Sequence, residues 1–196
     1  MALLTPEKRR LLSLLLKEKG IGAAPQRITR RPAGEAPLPL SYAQQRLWFI
    51  DQLQPFSSAY NIPAALRLSG PLSLSALRHA LSLTLSRHES LRTSFSLLDG
   101  HPVQVVAPDL PLPLRIVDLE ELDEEERARR VRSICEEEAA AAFDLSRAPL
   151  WRAVLIRLSN EEHVLVMVMH HIISDGWSLG VMLKELGEHY EAQIEG

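Results

Sequence analysis

The stretch "HVLVMVMHH", His163–His171, limits the fold more than any other part of the chain. Between His163 and His170 every side chain is apolar, and three of them are valines. A strand with one wet face alternates apolar and polar residues, so an unbroken run bounded by turn residues predicts a central strand covered on both faces. The polar "SNEE" precedes it and "IISDG" follows it. The run is far below the roughly 18 apolar residues that cross a bilayer, so no membrane span is expected.

A strand buried on both faces needs helices to cover it, and the surrounding chain supplies helical spacing. "SLSALRHALSLTLSRHESL" places Leu74, Leu77, Leu81 and Leu85 at helical intervals. "LDEEERARRVRSICEEEAAAAFDL" carries an apolar stripe of Ala128, Val131, Cys135 and Ala139 behind an acidic start that suits the helix dipole. "SLGVMLKELGEHYEAQI" continues the pattern through Leu179, Leu183, Leu186 and Tyr190. Ser41 and Gln44 in "SYAQQRLWFIDQL" have capping-box spacing and predict a helix start. "RTSFSLLDGHPVQVVAP" reads as two strands joined at Asp99-Gly100, a favoured hairpin turn. "LWRAVLIRL" reads as a further strand, and strands interleaved with helices give the α/β class.

The N-terminus reads separately. Thr5 is a suitable cap and Pro6 a suitable first helical residue, so residues 1–20 are expected as a helix with leucines on one face. Residues 21–39, rich in Pro, Gly and Arg, read as a linker, and residues 40–196 as the globular part. At net charge -3 the chain has no general attraction for nucleic acid or anionic membrane. The single cysteine, Cys135, fits a reducing cytoplasm and a filler role in its helix.

The end of the apolar strand is where chemistry is expected, because strand ends open onto surface crevices while the strand body holds them rigid. Successive strand residues point to opposite sides, so His170 and His171 should have different surroundings and different tasks. A metal site is disfavoured, since diverging histidines and Asp175 do not complete a ligand set. A hydrolase triad lacks a G-x-S-x-G elbow, and Ser174 and Ser178 read as turn or cap residues. Acyl transfer to an external amine or alcohol needs only a base or positioning group and oxyanion stabilisation, which one histidine and a helix start can supply. A packed core histidine beside an ordinary helix cap is the plain structural alternative.

Three ordered blocks resemble one family. "HHIISDG" fits the HHxxxDG signature of condensation domains in nonribosomal peptide synthetases. "SYAQQRLWFIDQL" and "RHESLRTSF" resemble that family's first and second signature blocks, and "YNIP" and "FDLSRAPLWRAVLIRL" also read as family sequence. The resemblance runs from about Leu40 to the end. It implies an α/β, two-layer sandwich forming the N-terminal lobe of a chloramphenicol-acetyltransferase-like fold, in which two lobes enclose an active-site channel. The chain has about half the length of such a domain, and the later blocks are absent.

The resemblance also implies an activity. Two substrates ride as thioesters on 4'-phosphopantetheine arms of donor and acceptor peptidyl carrier proteins, and the acceptor amine attacks the donor thioester to form a peptide bond. No cofactor or metal is bound directly. His171 matches the catalytic position, as base or amine-positioning group, and Gly176 the signature glycine that would admit the thioester and support its oxyanion. His170, Asp175, Trp177 and Ser178 are expected as supporting residues. By resemblance Asp175 pairs with an arginine of the second lobe, so here it is left solvated or paired differently. Trp48 and Trp177 are expected as core or channel wall, and Arg87 and Arg92 as fold-supporting ion pairs. The blocks look most like those of domains joining an L-configured donor to an L-configured acceptor. An adenylation domain and the second lobe are expected on the same full-length chain; if Met1 is the true start, no carrier protein precedes this domain on that chain, and the donor is expected on another polypeptide. The alternative is a non-catalytic single-lobe module that binds a carrier protein or a partner lobe.

Overall fold

The computed structural model describes Glu7 and residues 38–195. The chain divides into two compact units, Met1–Ala36 and Pro37–Gly196. The expected N-terminal helix and most of the linker lie outside the described residues, apart from Glu7, which is helical and exposed.

The second unit runs β1 (Leu38–Pro39), α1 (Tyr42–Leu53), β2 (Asn61–Ser69), α2 (Leu74–Arg87), a 3-10 turn (Glu89–Arg92), β3 (Thr93–Leu98), β4 (His101–Val106), β5 (Leu114–Asp118), α3 (Glu124–Ala140), β6 (Trp151–Arg157), β7 (Glu162–His170) and α4 (Gly176–Glu195). Local chemistry sets most of these boundaries. Ser41 and Gln44 form the capping box reciprocally, the Ser41 hydroxyl accepting the Gln44 N–H and the Gln44 side chain accepting the Ser41 N–H. Ser73 caps α2, and Asp123 caps α3 ahead of three glutamates that favour the positive end of the helix dipole. The β3–β4 hairpin turns on Asp99 and Gly100, both at positive φ (49° and 78°), as a two-residue turn of matching twist requires.

Two sheets result. The smaller has the order β1-β4-β3, so Leu38 and Pro39, expected as the end of the linker, form a short edge strand, where proline's missing N–H is tolerated. The larger has the order β2-β7-β6-β5; its pairs are antiparallel except β5 with β6, which are parallel and joined through α3. Strand β7 is internal to that sheet as its apolar run predicts, and residues 165–169 are all buried. Leu165 lines one cavity with Leu77 of α2 and Leu183 and Leu186 of α4, while Val164, the next residue along, lines another with Ala128 and Val131 of α3. The fold is the expected α/β class, and the larger sheet carries helices on both of its faces. Each side chain of this size taken from water into the core contributes about 1.5–3 kcal/mol.

Two details differ from the sequence expectation. The anchor of α3 is Ile134, which is fully buried, whereas Cys135 beside it is only half-buried. Helix α1 buries none of its residues: Leu47 and Trp48 rest partly against the core, and Tyr42, Phe49 and Leu53 stay exposed.

Candidate active site

Strand β7 ends at His170, and the two histidines have different surroundings, as expected, although the second sits in the turn and not on the strand. The His170 ring is 3% exposed, lying 6.3 Å from the Phe143 ring in an edge-on contact and 6.4 Å from Tyr60. Its Nδ1 accepts the Ile172 N–H at 3.1 Å, so the neutral ring carries its proton on Nε2. Burial, and secondly the neighbouring His171, push its pKa down to about 4.

His171 lies one residue past the strand, exposed, with its N–H donating to the Tyr60 carbonyl at 2.8 Å. Its Nδ1 lies 2.7 Å from the Ser174 carbonyl oxygen. A carbonyl can only accept, so Nδ1 is the protonated nitrogen and Nε2 keeps its lone pair. Among the described residues Nε2 has no hydrogen-bond partner. The ring lines a cavity of about 650 Å³ between this turn and the start of α1, shared with Ser41, Gln44, Tyr60 and Asp175.

The turn then becomes α4. Asp175 caps it: one carboxylate oxygen accepts the Ser178 N–H at 2.8 Å and the Ser178 hydroxyl at 2.7 Å, and the Asp175 carbonyl accepts the Leu179 N–H. The Ser178 hydroxyl and N–H hold the Asp175 carboxyl below the usual carboxylate range. The different pairing foreseen for Asp175 is thus within its own helix turn. Ser178 is the partner of the cap, and Ser174 contributes its carbonyl to His171. Gly176 follows the cap with an ordinary φ, and a Cβ built there meets nothing within 4 Å. Its N–H has no partner among the described residues, as expected of a first-turn amide. Trp177 is 82% exposed, which removes the core alternative; it lines a second cavity of about 170 Å³ with Leu91, Met169 and Met182.

The arginine block, expected in ion pairs, finds one such partner and one different set. Arg87 pairs with Glu185 of α4 at 3.4 Å, and His88 Nε2 meets the other oxygen of that carboxylate at 2.5 Å, fastening the end of α2 to α4. The His88 hydrogen bond lowers the Glu185 pKa. Arg92, expected in an ion pair, donates instead to the carbonyls of Leu85, Ser86, Ala107 and Pro108. It closes the C-terminal end of α2, where carbonyls lack helical partners. Among the described residues no group of three or more His, Cys, Asp or Glu is placed to hold a metal ion, and no helix is long and apolar enough to cross a membrane.

Sequence reasoning did not find Gln44, Tyr60 or the Ser174 carbonyl as neighbours of His171. Tyr60 and Ser174 act through backbone carbonyls, which carry no residue signature. The capping-box spacing explains Gln44 locally but not its reach to a turn 128 positions on.

The chain is similar to known proteins in sequence and in fold. The family model of the Condensation domain matches residues 35–196. The chain is 50% identical over 159 residues to one of the linear gramicidin synthase proteins of Brevibacillus parabrevis, covering 81% of this chain and 2% of that protein. It is 40% identical over 185 residues to the phosphinothricin tripeptide synthetase PhsC of Streptomyces viridochromogenes, covering 94% of this chain and 17% of that one. The first condensation domain of the calcium-dependent antibiotic synthetase, solved with a substrate analogue, superposes with a TM-score of 0.76 at 28% identity, over 83% of this chain and 39% of that structure. The chain thus spans a small part of its synthetase relatives and well under half of that solved structure. With the family match covering most of its length, the chain belongs to the condensation domain family of nonribosomal peptide synthesis.

Proposed function

We propose that this chain is the N-terminal lobe of a condensation domain that forms amide bonds, moving an acyl or peptidyl group from the phosphopantetheine thioester of a donor carrier protein to the amine of an aminoacyl thioester on an acceptor carrier. The observation that carries this reading is the His171 turn. It holds one imidazole with its lone-pair nitrogen open beside a 650 Å³ cavity, and five residues on it leaves a helix-start N–H unpartnered among the described residues.

The amine nitrogen attacks the thioester carbonyl carbon, forming C–N and placing negative charge on the carbonyl oxygen. Collapse breaks C–S, and the electron pair leaves on the pantetheine sulfur. The amine proton passes to His171 Nε2 and from there to the departing thiolate, so products are an amide and a free thiol. An α-amine with pKa near 8 is partly unprotonated at neutral pH, so deprotonation is a modest part of the barrier. Holding amine and thioester together can contribute up to roughly 7–11 kcal/mol, which gives His171 the role of base or of amine-positioning group. The Gly176 N–H is suited to the oxyanion, and the open space where a Cβ would project gives the thioester room.

The remaining residues support the turn: His170 from the interior, Asp175 and Ser178 as the cap of α4, and Trp177 as channel wall. The signature blocks favour an L-to-L subtype. The second lobe supplies the other wall of the channel, an adenylation domain loads the acceptor, and the reaction takes place in the cytoplasm.

The test is a single-turnover assay with loaded donor and acceptor carriers and the two-lobed domain. H171A should lower product formation roughly 10²- to 10⁴-fold with carrier affinity retained. A rate within threefold of the parent rules the reading out.

A further inference from the structure

Helix α1 reaches the His171 turn through one side chain. Gln44 Oε1 accepts the Ser41 N–H at 2.9 Å and completes the helix cap. Its Nε2 donates at 3.2 Å to Gln104 Oε1 on β4 and at 3.3 Å to the carbonyl of Ile172, the residue directly after His171. Gln104 Nε2 donates in turn to the Pro39 carbonyl on β1 at 2.9 Å. A continuous chain of amides therefore runs from the smaller sheet through α1 to the turn between β7 and α4. The cap alone does not require this, because capping uses only the oxygen of Gln44.

We propose that Gln44 is a positioning residue for His171. Five backbone or side-chain bonds fix the turn. Tyr60 O holds the His171 N–H, His170 Nδ1 the Ile172 N–H, His170 O the Ile173 N–H, Ser174 O the imidazole, and Gln44 Nε2 the Ile172 carbonyl. The first three fix where the turn leaves the strand. Among the described residues the Ile172 carbonyl is held by Gln44 alone, from outside the turn, and its orientation governs the path of the chain to Ser174. Releasing it lets the 172–174 segment rotate and loosens the Ser174 carbonyl from His171 Nδ1. The ring then samples the tautomer with Nε2 protonated, in which the nitrogen facing the cavity can no longer take a proton. Gln44 thus acts on the ring's tautomer without touching the ring.

The inference rests on the reading of His171 as the working group, and its test separates the two. Gln44→Glu keeps the oxygen that caps α1 and removes the donor. Nitrogen-15 NMR of the neutral His171 ring, on this chain and on its Q44E and Q44A variants, reports the tautomer with no substrate present. The expected result is a single Nδ1–H form in the parent and a mixture in both variants, while the melting temperature of Q44E stays within about 2 °C of the parent. In the two-lobed domain, Q44E should lower kcat about 10- to 100-fold with little change in KM for either carrier, the range seen when partners that orient a working histidine are lost. In an H171A background, Q44E should produce no further loss. Unchanged ring shifts in Q44E overturn the positioning role, as does an equal kcat loss with and without His171. Full activity of H171A alone overturns the reading of the site and leaves the tautomer result intact.

Discussion

The Nδ1 of His170 accepts the N–H of Ile172 at 3.1 Å, a bond between residues two apart that only an unprotonated ring nitrogen can make. Burial, and then His171, hold the His170 pKa near 4, below its ordinary 6.5. The unfolded chain therefore binds more protons than the native one between those values, and stability rises with pH across that window. On acidification from pH 6.5 to 4 the chain should lose up to about 3 kcal/mol through this group. Urea unfolding at pH 4, 5, 6.5 and 7.5 measures it. H170N, whose side-chain oxygen can replace Nδ1 as acceptor, should flatten this part of the profile. H170L should cost about 1–3 kcal/mol at every pH by stranding the Ile172 N–H.

Substitution at Gly176 should separate the proposed function from folding. Its φ is ordinary and a Cβ there meets nothing, so alanine fits without strain. G176A should leave the melting temperature unchanged or raise stability by about 0.4–1 kcal/mol, since alanine narrows the unfolded ensemble. In the two-lobed domain it should nevertheless lower product formation at least tenfold, because the methyl group intrudes where the thioester is to lie. Thermal unfolding and single-turnover rates on one sample check both halves.

Arg92 should be intolerant of lysine. Its guanidinium spans four carbonyls, two at the end of α2 and two after β4. A single ammonium on a flexible stem cannot reach both groups at once. R92A should cost about 2–4 kcal/mol, and R92K should recover less than half of it, as read from denaturant midpoints.

The 196 residues alone should fold cooperatively and yet condense carriers at no more than about 1% of the two-lobed domain's rate, because half of the proposed channel is absent and amine and thioester are not held together. Adding the second lobe as a separate chain should restore part of the rate. Single-turnover assays with and without that lobe decide the matter; near-full product formation by the chain alone contradicts it.

The elements that could be read from sequence were those with a local cause. Strand β7 announced itself by unbroken burial, the hairpin by Asp99-Gly100, and α1 by Ser41 and Gln44. Strand β2 was hidden because Pro63 and Arg67 break its apolar character, and it gains its ladder only from β7. Strand β5 was hidden by the prolines before it and by pairing in parallel with a strand that follows a whole helix later. At the site, the opposite surroundings of His170 and His171 followed from strand period alone. The partner of Arg92 did not, since charge predicts attraction to oxygen without saying whether a carboxylate or a carbonyl will supply it. Asp175 shows the same limit: its residue type marks a cap as well as an ion pair, and the geometry chose the cap.

Two chemically identical rings are neighbours in sequence, yet only His171 lines the cavity, while His170 lies buried beside Phe143 and Tyr60. Deleting any one residue from the run 164–169 would draw His171 back into the interior place of His170 and His170 into the buried place of Met169. Neither ring would then face the cavity, without a change in either side chain. The count of residues along the strand decides whether an imidazole is presented at all.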